Sequence, residues 1–363
     1  MLHRADRQDS SFSYIQEDWN AQYKQSHFQG LGNTYEWCIE WWKRYGESDP
    51  NKALYILSDD EKTTLFPLMQ NRKGRVKTIE FMAQSDGAFT DYVGPLCETT
   101  SIKKHMVKLL DFLYNHTRTW DFTSLRLALN EQAYSDLIAA IVDASRSHPI
   151  NWDVTTPMQY VTVTLPNHFD DYLASLGSRT RQDIKKYLRN SAKAGMEFKL
   201  LSGQDAVDNL HNLFKLNAKN WNTFSNIKDR EFLTSVAIHL IENNKRFLLP
   251  QLILDGETIA TVFGYQIADC CYLHTAGINR QYSGQVSPGL TLYAYLIKEM
   301  IESGISTIDF SPGAEEYKLR LGGKVAPIYQ FNFQHPDSPV IRKKINHLNA
   351  SLRRKLNKLR KRA

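Results

Sequence analysis

A short pattern occurs twice in this chain of 363 residues. Thr119-Trp120-Asp121-Phe122-Thr123 and Thr307-Ile308-Asp309-Phe310-Ser311 lie 188 residues apart, and each follows a stretch with apolar residues at helical spacing. The acidic hairpin turns at Asp60-Glu61 and Gly256-Glu257 lie 196 residues apart in the same order. Two matches at similar offsets predict a duplicated unit, and at roughly 100–200 residues per domain the length accommodates two copies.

Both halves mix strands and helices. In the first, residues 34–45 set Trp37, Trp41 and Tyr45 at i, i+4 and i+8 and predict a helix, followed by strands over 53–57 and 64–69. A helix over 101–116, a strand over 119–127 and a helix over 132–145 come next. The second half begins with a strand over 160–165, helices over 169–176 and 180–194, a strand over 197–201, and helices over 206–221 and 231–243. Strands over 247–254, 258–267 and 271–278, a helix over 288–303, and strands over 306–310 and 328–333 complete it. The expected fold class is mixed α/β, with a first domain over 28–152 and a second over 153–336 joined near 151–157. An N-terminal extension precedes them over 1–27, and a C-terminal segment follows over 337–363.

Hydrophobic residues make up 42% and aromatics 12%, enough for ordinary cores and too many for a largely disordered chain. No uncharged apolar run approaches the ~18–20 residues that span a bilayer, and the first twenty residues hold no signal-type apolar stretch. Cys38, Cys97, Cys270 and Cys271 form no CxxC pair and have no His partner at zinc spacing, so neither a metal site nor a disulfide framework is predicted. A cytoplasmic chain is the expectation.

The formal charge is +6, from 45 basic and 39 acidic residues. Ten of the cations, Arg342, Lys343, Lys344, Arg353, Arg354, Lys355, Lys358, Arg360, Lys361 and Arg362, fall between positions 342 and 362, a stretch without a single acid. Setting them aside leaves 35 basic against 39 acidic residues, so the body is formally −4. Ile341, Ile345, Leu348, Leu352, Leu356 and Leu359 recur among these cations at three- and four-residue spacing and predict a basic amphipathic helix. Such a helix either lies on an anionic membrane surface, peripheral to the inner membrane, or docks on the body. A nucleic-acid partner is not expected. A second basic cluster, Arg179, Arg181, Lys185, Lys186, Arg189 and Lys193, is either a solvated helix face or a rim for a phosphate-bearing partner.

Cys271 to Leu290 reads CYLHTAGINRQYSGQVSPGL: a strand, a loop with Gly and Ser, then a helix with Ser287 as N-cap and Pro288 at its first position. Main-chain N–H groups and the positive dipole end at such a start suit an anion. The segment either holds a pyrophosphate or is a capped turn without a ligand. Downstream, Ile308 to Gly322 reads IDFSPGAEEYKLRLG, a strand end, a glycine, acids and then Tyr-Lys. No Ser/His/Asp order, P-loop or HExxH occurs, which gives no support to hydrolase, nucleotide-kinase or metalloprotease chemistry.

These two segments resemble the CelD-like branch of the GNAT-superfamily acyltransferases, named for cellulose biosynthesis. Ser287-Pro288-Gly289-Leu290 with Tyr282 upstream, and Asp309-Phe310 followed by Tyr317-Lys318 and Gly322, carry the likeness. Tyr35-Glu36-Trp37, Trp41-Trp42, Phe66-Pro67-Leu68 and Trp120-Asp121-Phe122 extend it more loosely through the first half. The resemblance implies two tandem GNAT-like domains, the fold shared with Fem-type aminoacyl transferases, with a degenerate first domain. It implies acetyl-CoA or another acyl-CoA as co-substrate, with no metal. Pantetheine would lie between two splayed strands, and the pyrophosphate on a loop patterned Q/R-x-x-G-x-G/A. Gln281 and Gly284 fit that pattern, Val286 departs from it, and Ser287 and Gly289 open the helix behind it.

Tyr317 would then be the acid for the leaving thiolate. Asp309 either orients substrate, acts as a base or caps a turn, and His274 is either a base or a structural strand residue. Glu315 and Lys318 either bind the acceptor or are solvated charges. The implied reaction moves an acyl group to an amine or hydroxyl of a sugar, polysaccharide precursor or other envelope metabolite. Alternatives are an aminoacyl-tRNA-dependent transferase acting on a peptidoglycan precursor, and a non-catalytic scaffold of an exopolysaccharide system. The first domain, whose segment DYVGPL over 91–96 has one glycine and no cation, is expected to be structural or to supply one wall of an acceptor cleft.

Overall fold

A computed structural model describes residues 1–5, 13–26, 30–73, 76–84, 90, 93–116, 120–282 and 286–338. The predicted basic helix over 337–363 therefore falls almost wholly outside the described residues. The fold class is mixed α/β, and the chain divides into two compact units. One takes the described residues of Met1–Asp86, Tyr92–Pro157 and Ile328–Ala363, the other those of Gly87–Asp91 and Met158–Pro327.

The first unit contains β1 (Leu2–Arg4), α1 (Gln16–Gln25), α2 (Tyr35–Trp41), β2 (Lys52–Asp59), β3 (Leu65–Lys73), β4 (Val76–Phe81), α3 (Ile102–His116), β5 (Asp121–Ala128) and α4 (Glu131–Ser147). β6 (Asn151–Thr164) begins here and ends in the second unit. The second unit continues with α5 (Phe169–Ser175), α6 (Ser178–Lys193), β7 (Glu197–Ser202), α7 (Gly203–Asp208), α8 (Leu210–Ala218) and α9 (Ile227–Glu242). β8 (Arg246–Leu254), β9 (Glu257–Ile267), β10 (Cys270–Ile278), α10 (Pro288–Glu302), β11 (Thr307–Pro312) and α11 (Glu316–Arg320) follow. β12 (Lys324–Gln334) starts in the second unit and ends in the first, where Ile328 to Gln334 pair with β5.

Strands of the first unit lie in the order β1-β2-β3-β4-β5-β12, antiparallel throughout except for β4 with β5. Ile102, Met106, Leu109, Leu110 and Leu113 repeat every three or four residues along α3, so one stripe of that helix enters the core beside Phe66, Phe81, Trp120 and Phe122. The first residues are built into this unit, with Leu2 to Arg4 paired to β2 and Trp19 of α1 wholly buried. In the second unit the order is β6-β11-β10-β9-β8-β7, antiparallel except for β10 with β11. α10, apolar nearly all round, is buried along most of its length.

Several elements differ from the sequence reading, β1, α1 and α11 among them. The expected joint over 151–157 is the first half of β6, since Pro157 is compatible with an extended chain. The helix expected over 206–221 is interrupted at Asn209, whose side chain bonds back to the Asp205 carbonyl. β4 forms where no strand was expected. No helix among the described residues is long and apolar enough to cross a membrane.

Candidate active site

β10 and β11 begin as a parallel pair, with Cys270 opposite Thr307 and Tyr272 opposite Asp309, and their pairing stops there. Two local devices part them. On β10, His274 and Thr275 form a bulge, since Leu273 pairs with Gly264 while Ala276 already pairs with Val262. A bulge bends its strand and re-aims the groups it carries. On β11, the Asp309 carboxylate accepts a 2.7 Å hydrogen bond from the Ser311 amide, and Ser311 takes a left-handed φ of 59°. The Ser311 hydroxyl donates to the Leu273 carbonyl at 2.7 Å and ties the two strands at the vertex of the V.

Beyond the vertex lies a cavity of about 590 Å³. His274, Thr275, Ala276 and Ile278 line one limb, Phe310, Ser311 and Pro312 the other, and Ser287 to Leu290, Tyr293, Glu315, Tyr317 and Lys318 further walls. α10 starts with Pro288, and Ser287 makes no side-chain cap bond. The first-turn amides of Gly289 and Leu290 have no partner within the helix, so this end keeps donors and positive dipole for an anion. A side chain at position 289 would meet the tip of Ile278, with Cδ1 at 2.9 Å.

The Tyr317 ring stacks on Tyr293, with centroids 5.5 Å apart and planes 9° from parallel. Burial pushes the Tyr317 hydroxyl up to about 12, against the opposing effect of the bond it receives from Tyr293 and with a further push from the Glu315 carboxylate. Tyr293, wholly buried, is pushed well above the usual phenol range. Tyr317 therefore keeps its proton at neutral pH. His274 stacks on Phe263 at 4.8 Å, and its Nδ1 lies 2.8 Å from the Thr275 hydroxyl.

Other expected site residues have different duties. Lys318 is 4% exposed, and its ammonium donates to the carbonyls of Pro312 at 2.8 Å, Gly313 at 2.9 Å and Ser311 at 3.3 Å. It also pairs with Glu315 at 2.9 Å. Lys318 thus staples the turn after β11 and holds Glu315 in place, a structural duty where acceptor binding was expected. Asp309 is buried and absent from the cavity wall, so its carboxylate shapes the strand end and does not face a substrate there. Gln281 is exposed and also outside the wall, its amide bonded to the Asn279 side chain. Gly284 lies outside the described residues. Val286 is buried away from the cavity, so this departure from the small-residue pattern does not fill it. None of the α6 cations lines the cavity; Arg179, Lys185, Lys186, Arg189 and Lys193 are exposed opposite Ile184, and Arg181 is half-buried.

Asn217, Trp221 and Thr223, with no obvious sequence signal, complete the wall. Asn217 of α8 donates to the Ala276 carbonyl at 3.0 Å, and Asn220, in the turn after α8, donates to the Ile278 carbonyl at 2.6 Å. The available hint was Gly277, since a glycine inside a strand often marks a close approach. A Cβ there would meet Leu216 Cβ at 2.6 Å.

Residues 178–319 match the family described as an acetyltransferase (GNAT) domain. The chain thus carries a GNAT-type acetyltransferase domain, and the splayed strands and α10 lie within the matched span. Among solved structures, FemX superposes with a TM-score of 0.62 at 10% identity, covering 87% of this chain and 95% of its own. L-PGS from Bacillus licheniformis gives 0.53 at 9% identity, covering 90% and 94%. A conserved protein of unknown function from Bacteroides thetaiotaomicron gives 0.54 at 13%, covering 92% and 100%. At these identities the likeness is one of fold. No match is found among curated proteins.

Proposed function

We propose that the second unit transfers an acyl group from acetyl-CoA or another acyl-CoA to an amine or hydroxyl of a saccharide precursor or other envelope metabolite. The observation that carries this reading is the cavity between β10 and β11, with an uncapped helix start and a half-buried, protonated phenol in its walls. The pyrophosphate lies on the amides that open α10, and pantetheine lies between the strands. The acceptor attacks the thioester carbonyl, a C–N or C–O bond forms and the C–S bond breaks. His274 takes the acceptor's proton, a main-chain amide of the His274–Thr275 bulge supports the oxyanion, and Tyr317 donates to the leaving sulfur. The CelD-like motifs at Ser287–Leu290 and Asp309–Gly322 incline the acceptor toward a saccharide.

Thermal-shift titration with acetyl-CoA, CoA and longer acyl-CoAs tests the donor. Stabilisation is expected, and its absence with all of them would overturn the assignment. The exposed cations of α6 favour a second reading, aminoacyl transfer from charged tRNA. Binding of tRNA that survives physiological salt would select it, because nonspecific phosphate contacts weaken steeply with salt. The ten cations of 342–362 are read as a membrane-surface element. Co-sedimentation with phosphatidylglycerol vesicles should be lost on truncation after Pro339 while turnover on a soluble acceptor is kept; loss of both would favour a scaffold.

A further inference from the structure

The cavity opens toward two faces of the second unit's sheet. Gly277 packs against α8, where a Cβ would meet Leu216 at 2.6 Å, whereas its neighbour Ile278 packs against Gly289 of α10. Successive strand residues point to opposite faces, so α8 and α10 cover opposite sides of β10. Asn217, Trp221 and Thr223 line the cavity from the α8 side, and Ser287 to Leu290 from the α10 side. If the donor's phosphates lie at α10, the acceptor reaches the thioester from the α8 face; this step rests on the acyl-transfer reading above.

That face presents a tryptophan on a tightly hydrogen-bonded turn. The amides of Asn220, Trp221 and Asn222 all donate to the Asn217 carbonyl, at 3.1, 2.9 and 3.1 Å. The Asn217 side chain accepts from the Thr223 amide at 2.8 Å and donates to β10, as does Asn220. Asn222 takes a left-handed φ of 52° to close the turn. Despite this anchoring, Trp221 is 48% exposed at the rim. The exposed Arg280 guanidinium lies 5.5 Å from its ring centroid. Elsewhere in the wall, Glu315 and Lys318 pair at 2.9 Å.

We infer that Trp221 and Arg280 form the acceptor-recognition rim and select an anionic sugar, whose apolar ring face lies on the indole and whose phosphate or carboxylate meets the guanidinium. An indole offers a large flat surface, and a guanidinium fork matches either anion with two hydrogen bonds. A sugar carries the apolar face, the anion and the nucleophilic hydroxyl or amine on one ring.

Calorimetric titration of the full chain with glucose 6-phosphate, glucuronate and glucose tests this. Both anions should bind, and glucose about tenfold more weakly. Trp221→Leu should weaken both anions about tenfold, and Arg280→Gln should abolish the preference for anions over glucose. The phosphate and carboxylate arms show which anion the fork prefers. Thermal stabilisation by CoA should be the same in both variants and the parent chain. Equal binding of all three sugars, no binding of any, or indifference to Trp221→Leu would overturn the inference. Loss of CoA stabilisation in the two variants would also overturn it, by giving the rim to the donor nucleotide. Trp221-dependent binding of the anions without stabilisation by any acyl-CoA would support the rim and overturn the acyl-CoA reading.

Discussion

The repeated sequence pattern sits at equivalent places in the two units and has opposite consequences. Asp121 of β5 lies opposite Thr78 in a parallel pair with β4, and Asp309 of β11 lies opposite Tyr272 in a parallel pair with β10. In the first unit the next residue, Phe122, packs on Phe81 at 5.8 Å and on Phe333 at 5.9 Å, and all three are wholly buried. In the second, Phe310 borders a cavity of about 590 Å³. The shared pattern therefore sets a strand against its parallel neighbour, and chemistry depends on what stands across from the phenylalanine. An aromatic plug makes a core; a bulge, a tied vertex and an uncapped helix start make a cavity.

Removing the plug tests the first half of that contrast. Phe122→Ala should cost about 3–5 kcal/mol in urea unfolding, as for other large buried aromatics, while acetyl-CoA still stabilises the folded variant. A cost below about 1 kcal/mol would show that Phe122 does not fill the first unit's core as its packing indicates. On the other side, Tyr317→Phe keeps the ring stacked on Tyr293 and deletes only the proton donor. Its kcat should fall about 10²-fold with little change in the KM for acyl-CoA, measured by thiol release. An unchanged kcat would remove Tyr317 from the mechanism and leave the second unit's contrast with the first resting on space alone.

What the sequence disclosed follows from how local each signal is. α3, α10 and strands β8 to β10 were legible because a single apolar period runs through each. β1 is too short to show a period, and α1 buries chiefly Trp19 and Tyr23 in a polar stretch, so neither was expected. At the site, His274, Ser287, Gly289, Glu315, Tyr317 and Lys318 do line one cavity, because loop and helix-start chemistry is written in adjacent residues. The direction of a side chain was not legible. Lys318 turns inward to carbonyls that only the folded turn exposes, and Asp309 bends back to the Ser311 amide. Asn217 and Asn220 reach β10 across 59 and 58 residues of sequence, a separation at which no local pattern speaks.

Asp59 of the first unit and Tyr317 of the second should act on opposite pH limbs. In the first, burial alone would raise the Asp59 carboxyl, but bonds from the Thr63 hydroxyl and amide, the Thr64 amide and Lys108 outweigh it and hold it at about 2, below its ordinary 3.8. A carboxyl held low favours the folded state above its ordinary value, and that contribution is lost as pH falls through about 2. In the second unit, burial raises Tyr317 from 10 to about 12, so its contribution is complete below pH 10 and is lost as pH rises through 12. Tyr172 and Tyr293 are raised by burial as well and act on the same limb. Urea midpoints measured against pH should therefore show Asp59→Asn flattening the acid limb alone and Tyr317→Phe flattening part of the alkaline limb alone. If either substitution left its own limb unchanged, the titrating group there would have to be another residue, and the assignment of these two limbs to Asp59 and Tyr317 would fail.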